Sequence, residues 1–498
     1  MDHAGPLITR YRRGEAGVLT ASFVADLDTP VGAFLKLTRG CHHSFLLESV
    51  EGGAVRGRYS IIGTDPDLIW RVRGASAEIG RLTETGFEFQ PHSLAPLDSL
   101  RRLIADSHIA LPDNLPPMAA GLAGFLGYDM VRQMERLPAP RPDPLGLPTA
   151  QLVRPRLTAI VDTVTDRITL VAPLRPDPAI SAEAADTAAR ARLDEAIQRL
   201  QGPLPSGLDQ AFSVNAPEDV SDTPAADYLS MVDRAKAYIR AGDIFQVVLS
   251  QNFSAPFDLP AFALYRALRR TNPSPYMYFL ADPDFCVVGS SPEIMARMQA
   301  GRVTVRPIAG TRPRGLDRED DQRLEQELLA DPKELAEHLM LLDLGRNDAG
   351  RVSVPGSVEV TARNVVERYS HVMHIVSNVE GRLRPGADAV DVVKATFPAG
   401  TVCGAPKIRA MQIIDELEKT PRGIYAGMVG YFGADGSMDS AIVLRTAVVK
   451  DGVMHVRAGA GLVADSVPQA EQAECTNKAR ALFRAAEEAV RYARQGEV

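Results

Sequence analysis

The chain is poor in cysteine: four in 498 residues, Cys41, Cys286, Cys403 and Cys475, with no CxxC pair among them. No His-rich spacing accompanies them, so a disulfide framework and a structural zinc site are disfavoured and reduced thiols are expected. Basic runs are missing too. The 55 Lys and Arg residues stand against 63 Asp and Glu, a formal charge of -8. That balance leaves little electrostatic footprint for nucleic acid or anionic lipid. No stretch approaches the length of apolar sequence needed for a transmembrane helix. The opening segment MDHAGPLITRYRRGEAGVLT lacks an apolar h-region, so no signal peptide is expected. These absences point to a cytoplasmic protein that binds neither nucleic acid nor membrane.

What is present is an ordinary globular composition, 45% hydrophobic and 24% charged, unlike that of disordered, collagenous or coiled-coil chains. At roughly 150 residues per domain the length allows about three domains, but one boundary stands out. Residues 18–90 read as short strands and turns: LLES (46–49), GRYSIIG (57–63) and DLIWRV (67–72), punctuated by Gly and Asp. The Pro-rich segment 137–148 cannot be a helix or central strand and reads as a surface connection. Residues 151–174 suggest two further strand pairs, and 182–200 a helix. Residues 201–224 are rich in Pro, Ser, Asp and Gly, which places the boundary near 222 and gives domains 1–222 and 223–498. Beyond it, Thr223 as N-cap and Pro224 in the first turn open a helix that ends with Gly242 at C′. A strand over 243–253 follows.

The chemistry-bearing residues lie in the second half. Asp331, Pro332 and Glu334 form the start of a helix, close to a capping box, with Gly345 as its expected stop. Glu334 and Glu337 share one face of it. A second helix opens at Pro468 and repeats the spacing with Glu471 and Glu474, and Lys478 sits one turn on. Two E-x-x-E faces could converge on one hard cation and leave positions open for substrate, as Mg2+ usually requires. An isolated E-x-x-E is most often a solvated helix face, so spacing alone does not establish a metal site. The Gly-rich turn FPAGTVCGAPK (397–407) enters a helix, but its Gly400 and Gly404 miss the phosphate-loop spacing. It could present backbone N–H groups to a carboxylate. Gly459 and Gly461 in RAGAGLVADSVP permit close backbone approach to a ligand, although a tight turn would explain them as well.

Taken in order, ten motifs resemble the chorismate-utilising enzymes, and within them the anthranilate synthase component I group. They are LLES, GDIFQVVLSQ (242–251), NPSPYM (272–277), GSSPE (289–293), RPIAGTRPRG (306–315), DPKELAEHLMLLDLGRND (331–348), RYSHVMHIVSNVEG (368–381), FPAGTVCGAPK, IYAGMVGYF (424–432) and AGAGLVADSVPQAEQAE (458–474). The resemblance implies an α/β fold of the α+β type, two layers of mostly antiparallel β-sheet from both halves flanked by helices. It implies Glu337 and Glu474 as Mg2+ ligands, with Glu334 and Glu471 nearby. Gly310, Thr311, Tyr425 and Arg445, and Gly459, Ala460 and Gly461 on one strand, resemble the family's chorismate contacts. Lys478 joins Arg445 in receiving a substrate carboxylate. Glu293 resembles the general acid for loss of the C4 hydroxyl. His374 resembles the residue tied to pyruvate elimination, with His371 the structural histidine of that motif, and Thr401 forms another wall.

Two positions separate the members of the family. Where aminodeoxychorismate synthases carry a nucleophilic Lys this chain has Ala309, so no amine is available for a covalent adduct. Where isochorismate and salicylate synthases carry a water-activating Lys it has Gln246, which cannot act as a base. Ammonia remains the natural nucleophile. Ser49 of LLES and Pro275, Tyr276 and Met277 of NPSPYM resemble the family's L-tryptophan feedback site. No G-x-C-x-G-x-Q-type glutaminase motif occurs, so ammonia is expected from solution or from a separate glutamine amidotransferase subunit. A heterotetramer of two large and two small subunits is implied. A tryptophan sensor that has lost catalysis is the competing reading. Residues 1–40 match no motif.

Overall fold

The computed structural model describes residues 4–39, 41–51, 55–206, 220–369 and 372–495; His371 lies outside them. Its frame is one long antiparallel pair. The strand Val55–Arg73 runs against Ala150–Asp162, from Tyr59 opposite Asp162 to Val72 opposite Ala150. Their register slips between Pro66 and Leu68, beside Asp65, whose φ of 54° is left-handed. Arg156 (2.5 Å) and Arg192 (3.1 Å) hold the Asp65 carboxylate there. GRYSIIG and DLIWRV are therefore one bent strand rather than two, because the turn-forming residues between them bend the chain without reversing it.

Two sheets diverge from this pair. Above the slip, Val55–Arg73 pairs with Ser44–Glu51 and Ala150–Asp162 pairs with Arg167–Leu174. That sheet continues through Tyr276–Ala281, Cys286–Ser291, Thr446–Lys450, Val453–Leu462 and Gln246–Pro256. Below the slip the neighbours are Ser76–Thr83 and Gly121–Leu126. That second sheet runs on through Met428–Gly433, Met438–Ile442, Ile294–Gln299, Arg302–Val305 and Val372–Arg382. Ile308–Pro313 and Glu359–Arg368 complete it. All of these pairings are antiparallel, and each sheet takes strands from both halves of the chain.

One core joins the sheets, with Trp70, Leu249, Met295, Met428 and Leu462 all at 2% exposure or less. Trp70, the single tryptophan, donates its Nε1–H to Ser99 Oγ at 3.0 Å, as a buried indole requires. A second core lies beneath the helices Pro30–Leu37, Ala182–Gln201, Ala261–Thr271 and Pro468–Gln495.

Several local expectations shift. The helix Ala225–Arg240 has Pro224 in the N-cap position, and the Thr223 hydroxyl donates instead to Asp222 Oδ1 at 2.8 Å. Gly242 ends it with φ 81° as expected. The next strand starts at Gln246, three residues late. Helix Pro332–Gly350 runs through Gly345, where a Cβ would meet Val305 and Pro307 at 3.5–3.7 Å. Those are ordinary contact distances, so the glycine is neither required by the packing nor a stop.

Candidate active site

The open ends of both sheets and the two acidic helices surround a cavity of about 600 Å³. Gln246, Gly459 and Gly461 come from the first sheet, and Glu293, Gly310, Thr311 and His374 from the second. The turn contributes Thr401, and Tyr425 and Arg445 close another side. Glu334 and Glu337 project from one helix and Glu471, Glu474 and Lys478 from the other. Ala460 does not line the cavity. Strand alternation turns its side chain into the core at 0% exposure, between two glycines that face the opposite way.

The two glycines serve close approach. A Cβ at Gly459 would meet the Tyr425 hydroxyl at 2.8 Å, and one at Gly461 would meet Gln246 Nε2 at 2.9 Å. Gln246 Nε2 lies 3.4 Å from Glu337 Oε1, while its own Oε1 is buried and accepts from no described group. A buried unpartnered carbonyl oxygen costs about 1–3 kcal/mol.

The carboxylates divide into two kinds. Asp331 caps its helix through Lys333 N (2.9 Å) and Glu334 N (3.3 Å), but Glu334 does not reach back to complete a capping box. It pairs with Arg312 Nη1 at 2.9 Å. Glu474 pairs with Lys478 at 2.7 Å. Glu337 has no cationic partner among the described residues; burial and the neighbouring charges of Glu334 and Glu474 raise its pKa, and burial with Glu474 does the same to Glu471. Carboxylates from two helices thus crowd one another, a repulsion that a cation between Glu337 and Glu474 would relieve. Among the described residues no three His, Cys, Asp or Glu side chains stand ready as a metal cluster. Two carboxylates with water and substrate oxygens still suit Mg2+.

Acid and base groups are separated by environment. Burial raises the Glu293 carboxyl to about 8, against smaller opposing effects of Thr401 and Lys478, so it carries a proton at neutral pH. Burial lowers His374 to about 4. Its Nδ1 lies 3.1 Å from the Gly310 carbonyl and 3.0 Å from the Thr311 hydroxyl. A hydrogen assigned to Nδ1 for that carbonyl leaves Nε2 as the lone-pair nitrogen. Arg445 holds a left-handed φ of 46°, uncommon for a long side chain and a mark of functional constraint. Among the described residues no carboxylate pairs with its guanidinium, and burial lowers its pKa. A half-buried cation without a counter-ion suits an anionic ligand.

Sequence reasoning missed the support behind this wall. Glu418, Arg422 and Arg457 are 3–7% exposed. Glu418 accepts from Arg422 at 2.7 Å, Arg457 at 3.1 Å and Ser250 at 2.8 Å. Arg422 also donates to Val402 O and Val248 O, and its guanidinium lies 5.6 Å from the Tyr425 ring centroid. The network ties the turn, the first sheet and Tyr425 together. Glu418 and Arg422 are four residues apart, a spacing the sequence offered as a pair, but Ser250 and Arg457 are distant and nothing local marks the group as buried.

Ser49, Pro275, Tyr276 and Met277 line a second cavity, of about 840 Å³. Pro292 and Ile308 line both cavities and form a shared wall.

A family model described as chorismate binding enzyme matches residues 65–484. The anthranilate synthase component 1 of Cereibacter sphaeroides is 53% identical over 97% of both chains, and that of Pseudomonas aeruginosa 49% identical over 94% of both. The chain belongs to the anthranilate synthase component I family. The crystal structure of the Streptococcus pneumoniae anthranilate synthase component I superposes with a TM-score of 0.75 at 38% identity, covering 86% of this chain and 92% of that one. The isochorismate synthase MenF of Escherichia coli shares the fold, with a TM-score of 0.70 at 20% identity over 97% of this chain and all of that one.

Proposed function

We propose that this chain converts chorismate and ammonia to anthranilate and pyruvate, the first committed step of tryptophan biosynthesis, with Mg2+ bound by Glu337 and Glu474. The observation that carries the reading is the half-buried Arg445, with no carboxylate partner among the described residues, facing a cavity that also holds Glu293 and His374. Chorismate is a dianion, and Arg445 with Lys478 receives one of its carboxylates. When bound, Mg2+ supplies Lewis-acid polarisation of the ring carboxylate.

The chain's own groups then act in order. The unpartnered Gln246 Oε1 accepts a hydrogen bond from incoming ammonia and orients it toward C2. Glu293 gives its proton to the C4 hydroxyl, which leaves as water. His374 Nε2 takes the C2 proton as the enolpyruvyl C–O bond breaks and the ring aromatises, and it returns that proton to the methylene carbon of the departing enolpyruvate, which leaves as pyruvate. Tyr425 and the Gly459 and Gly461 backbone fix the ring plane. Ammonia comes from a glutamine amidotransferase subunit, in an assembly of two large and two small subunits in the cytoplasm. L-Tryptophan binds the second cavity against Ser49, Pro275, Tyr276 and Met277 and inhibits. The regulatory role falls to residues 1–222, with 223–498 catalytic, although the inhibitor cavity draws on both.

The test is the purified chain with chorismate, Mg2+ and ammonium, its products separated by chromatography. Anthranilate and pyruvate, both lost with EDTA, are expected. Aminodeoxychorismate would discredit the role of His374, isochorismate or salicylate would overturn the argument from Gln246, and no turnover would leave a tryptophan sensor.

A further inference from the structure

Glu293 gives up a proton in every turnover and must regain one before the next. Behind it, away from the main cavity, lies a space of about 30 Å³ whose lining includes Glu293, Thr401, Asp348, Thr396 and Gly400. A water needs roughly 10–15 Å³ of such volume and two to four polar partners. Asp348 is 4% exposed. Its Oδ2 accepts from Lys407 Nζ at 2.8 Å, but its Oδ1 is buried and has no partner among the described residues. Thr401 Oγ1 is likewise buried and meets no partner in good hydrogen-bond geometry among the described residues, Glu293 being the group it lies beside. Thr396 offers nothing further as a donor, since its hydroxyl already donates to Val392 O at 2.9 Å. A carboxylate oxygen left unsatisfied in a core is costly, and Asp348 lines this small space together with Thr401 and the general acid.

We propose that this space is a water site, and that the water hands a proton from Asp348 to Glu293 after each departure of the C4 hydroxyl. The proposal rests on the reading of Glu293 as the general acid. Ammonia bonded at C2 sheds one proton to solvent. A proton re-enters at Lys407, whose side chain is 13% exposed. Lys407 passes a proton to Asp348 Oδ2, the carboxyl group turns over and carries that proton to the water side, Asp348 gives it to the water and returns to the carboxylate, and the water gives one of its own to Glu293. Thr401 Oγ1 orients the water. Each O–H or N–H bond broken is matched by one formed, so no proton is gained or lost over the cycle. Burial, opposed by Lys407 and Arg351, raises the Asp348 pKa, which eases its part as a relay. Cys403 also lies near Asp348, and Arg306 lines the same space.

Asp348 is a positioning and relay residue, so its test needs a readout that a structural role would not move. In the full chain with chorismate, Mg2+ and ammonium, Asp348→Asn is expected to lower kcat about tenfold or more, with KM for chorismate within about twofold. Imidazole, raised at fixed pH and ionic strength, should restore much of the lost kcat by reaching Glu293 from the main cavity, and should leave the wild type unaffected. If Lys407 stripped of its partner prevents folding, the charge-balanced Asp348→Asn/Lys407→Gln chain carries the same measurement. A crystal structure should show water between Asp348 Oδ1 and Thr401 Oγ1. An unchanged kcat, a loss that imidazole does not relieve, or no water density there would overturn the relay. Glu293→Gln separates the two readings. Substantial turnover in that variant would instead remove Glu293 as the acid.

Discussion

The two cavities share Pro292 and Ile308 as a wall but treat charge in opposite ways. In the larger one, Arg58, Arg297, Arg306 and Arg368 each have a carboxylate partner, Asp162, Asp439, Glu367 and Glu325 in turn. The rest of that lining is rich in tyrosine and methionine, including Tyr276, Tyr278, Tyr431 and Met277. In the smaller one, among the described residues, Arg445 has no carboxylate partner, Glu337 faces other carboxylates, and Gln246 keeps a buried oxygen without a partner. Neutralised charge beside aromatic surface suits recognition of a compact amino acid with a large ring. Uncompensated charge is destabilising and is kept where a ligand or a transition state will complete it. The contrast separates recognition from chemistry within one fold.

The strongest way to break this contrast is to remove a reacting group. Glu293→Gln should lower kcat by about 10²–10⁴-fold, the usual worth of a positioned acid, in a steady-state anthranilate assay. The same variant should gain stability at alkaline pH. A carboxyl whose pKa is raised to about 8 on folding loses stability as pH climbs from its unfolded value through 8, and Gln does not. Thermal melts of both chains at pH 6 and pH 9 check the sign. In the wild type, kcat at constant unprotonated ammonia should fall above about pH 8 as Glu293 ionises. Arg445→Ala should reduce kcat/KM by about 2–5 kcal/mol, since it leaves a substrate carboxylate without its cation.

The supporting network predicts a loss of stability. Glu418→Gln leaves Arg422 and Arg457 buried with no counter-charge, and about 3–5 kcal/mol of folding free energy should go with it, read by urea unfolding. Smaller in free energy is Ser49→Phe, which should raise the half-inhibitory concentration of tryptophan about tenfold or more by filling part of the larger cavity.

Most residues that line the smaller cavity were legible in the sequence because they sit in motifs that resemble the family's, although spacing alone would not have singled them out. Glu334 and Glu337, Glu471 and Glu474, and the His374 motif could be read without any fold. So could the strands and helices with regular patterns, such as Ala182–Gln201. The bend at Asp65 could not, since it depends on Arg156 and Arg192 from elsewhere in the chain. Nor could the burial of Glu418, which meets Arg457 39 residues away. Gly345 read as a stop because a glycine inside a helix has the same local signature as one that ends it.

The division between the cavities is tested most directly by Glu474→Gln, with turnover and tryptophan binding measured on the same preparation. The account predicts that Mg2+-dependent anthranilate formation falls by about 10²-fold or more, while calorimetry gives a tryptophan Kd within about twofold of the wild type. Turnover that survives without Glu474, or tryptophan affinity that disappears with it, would contradict the account.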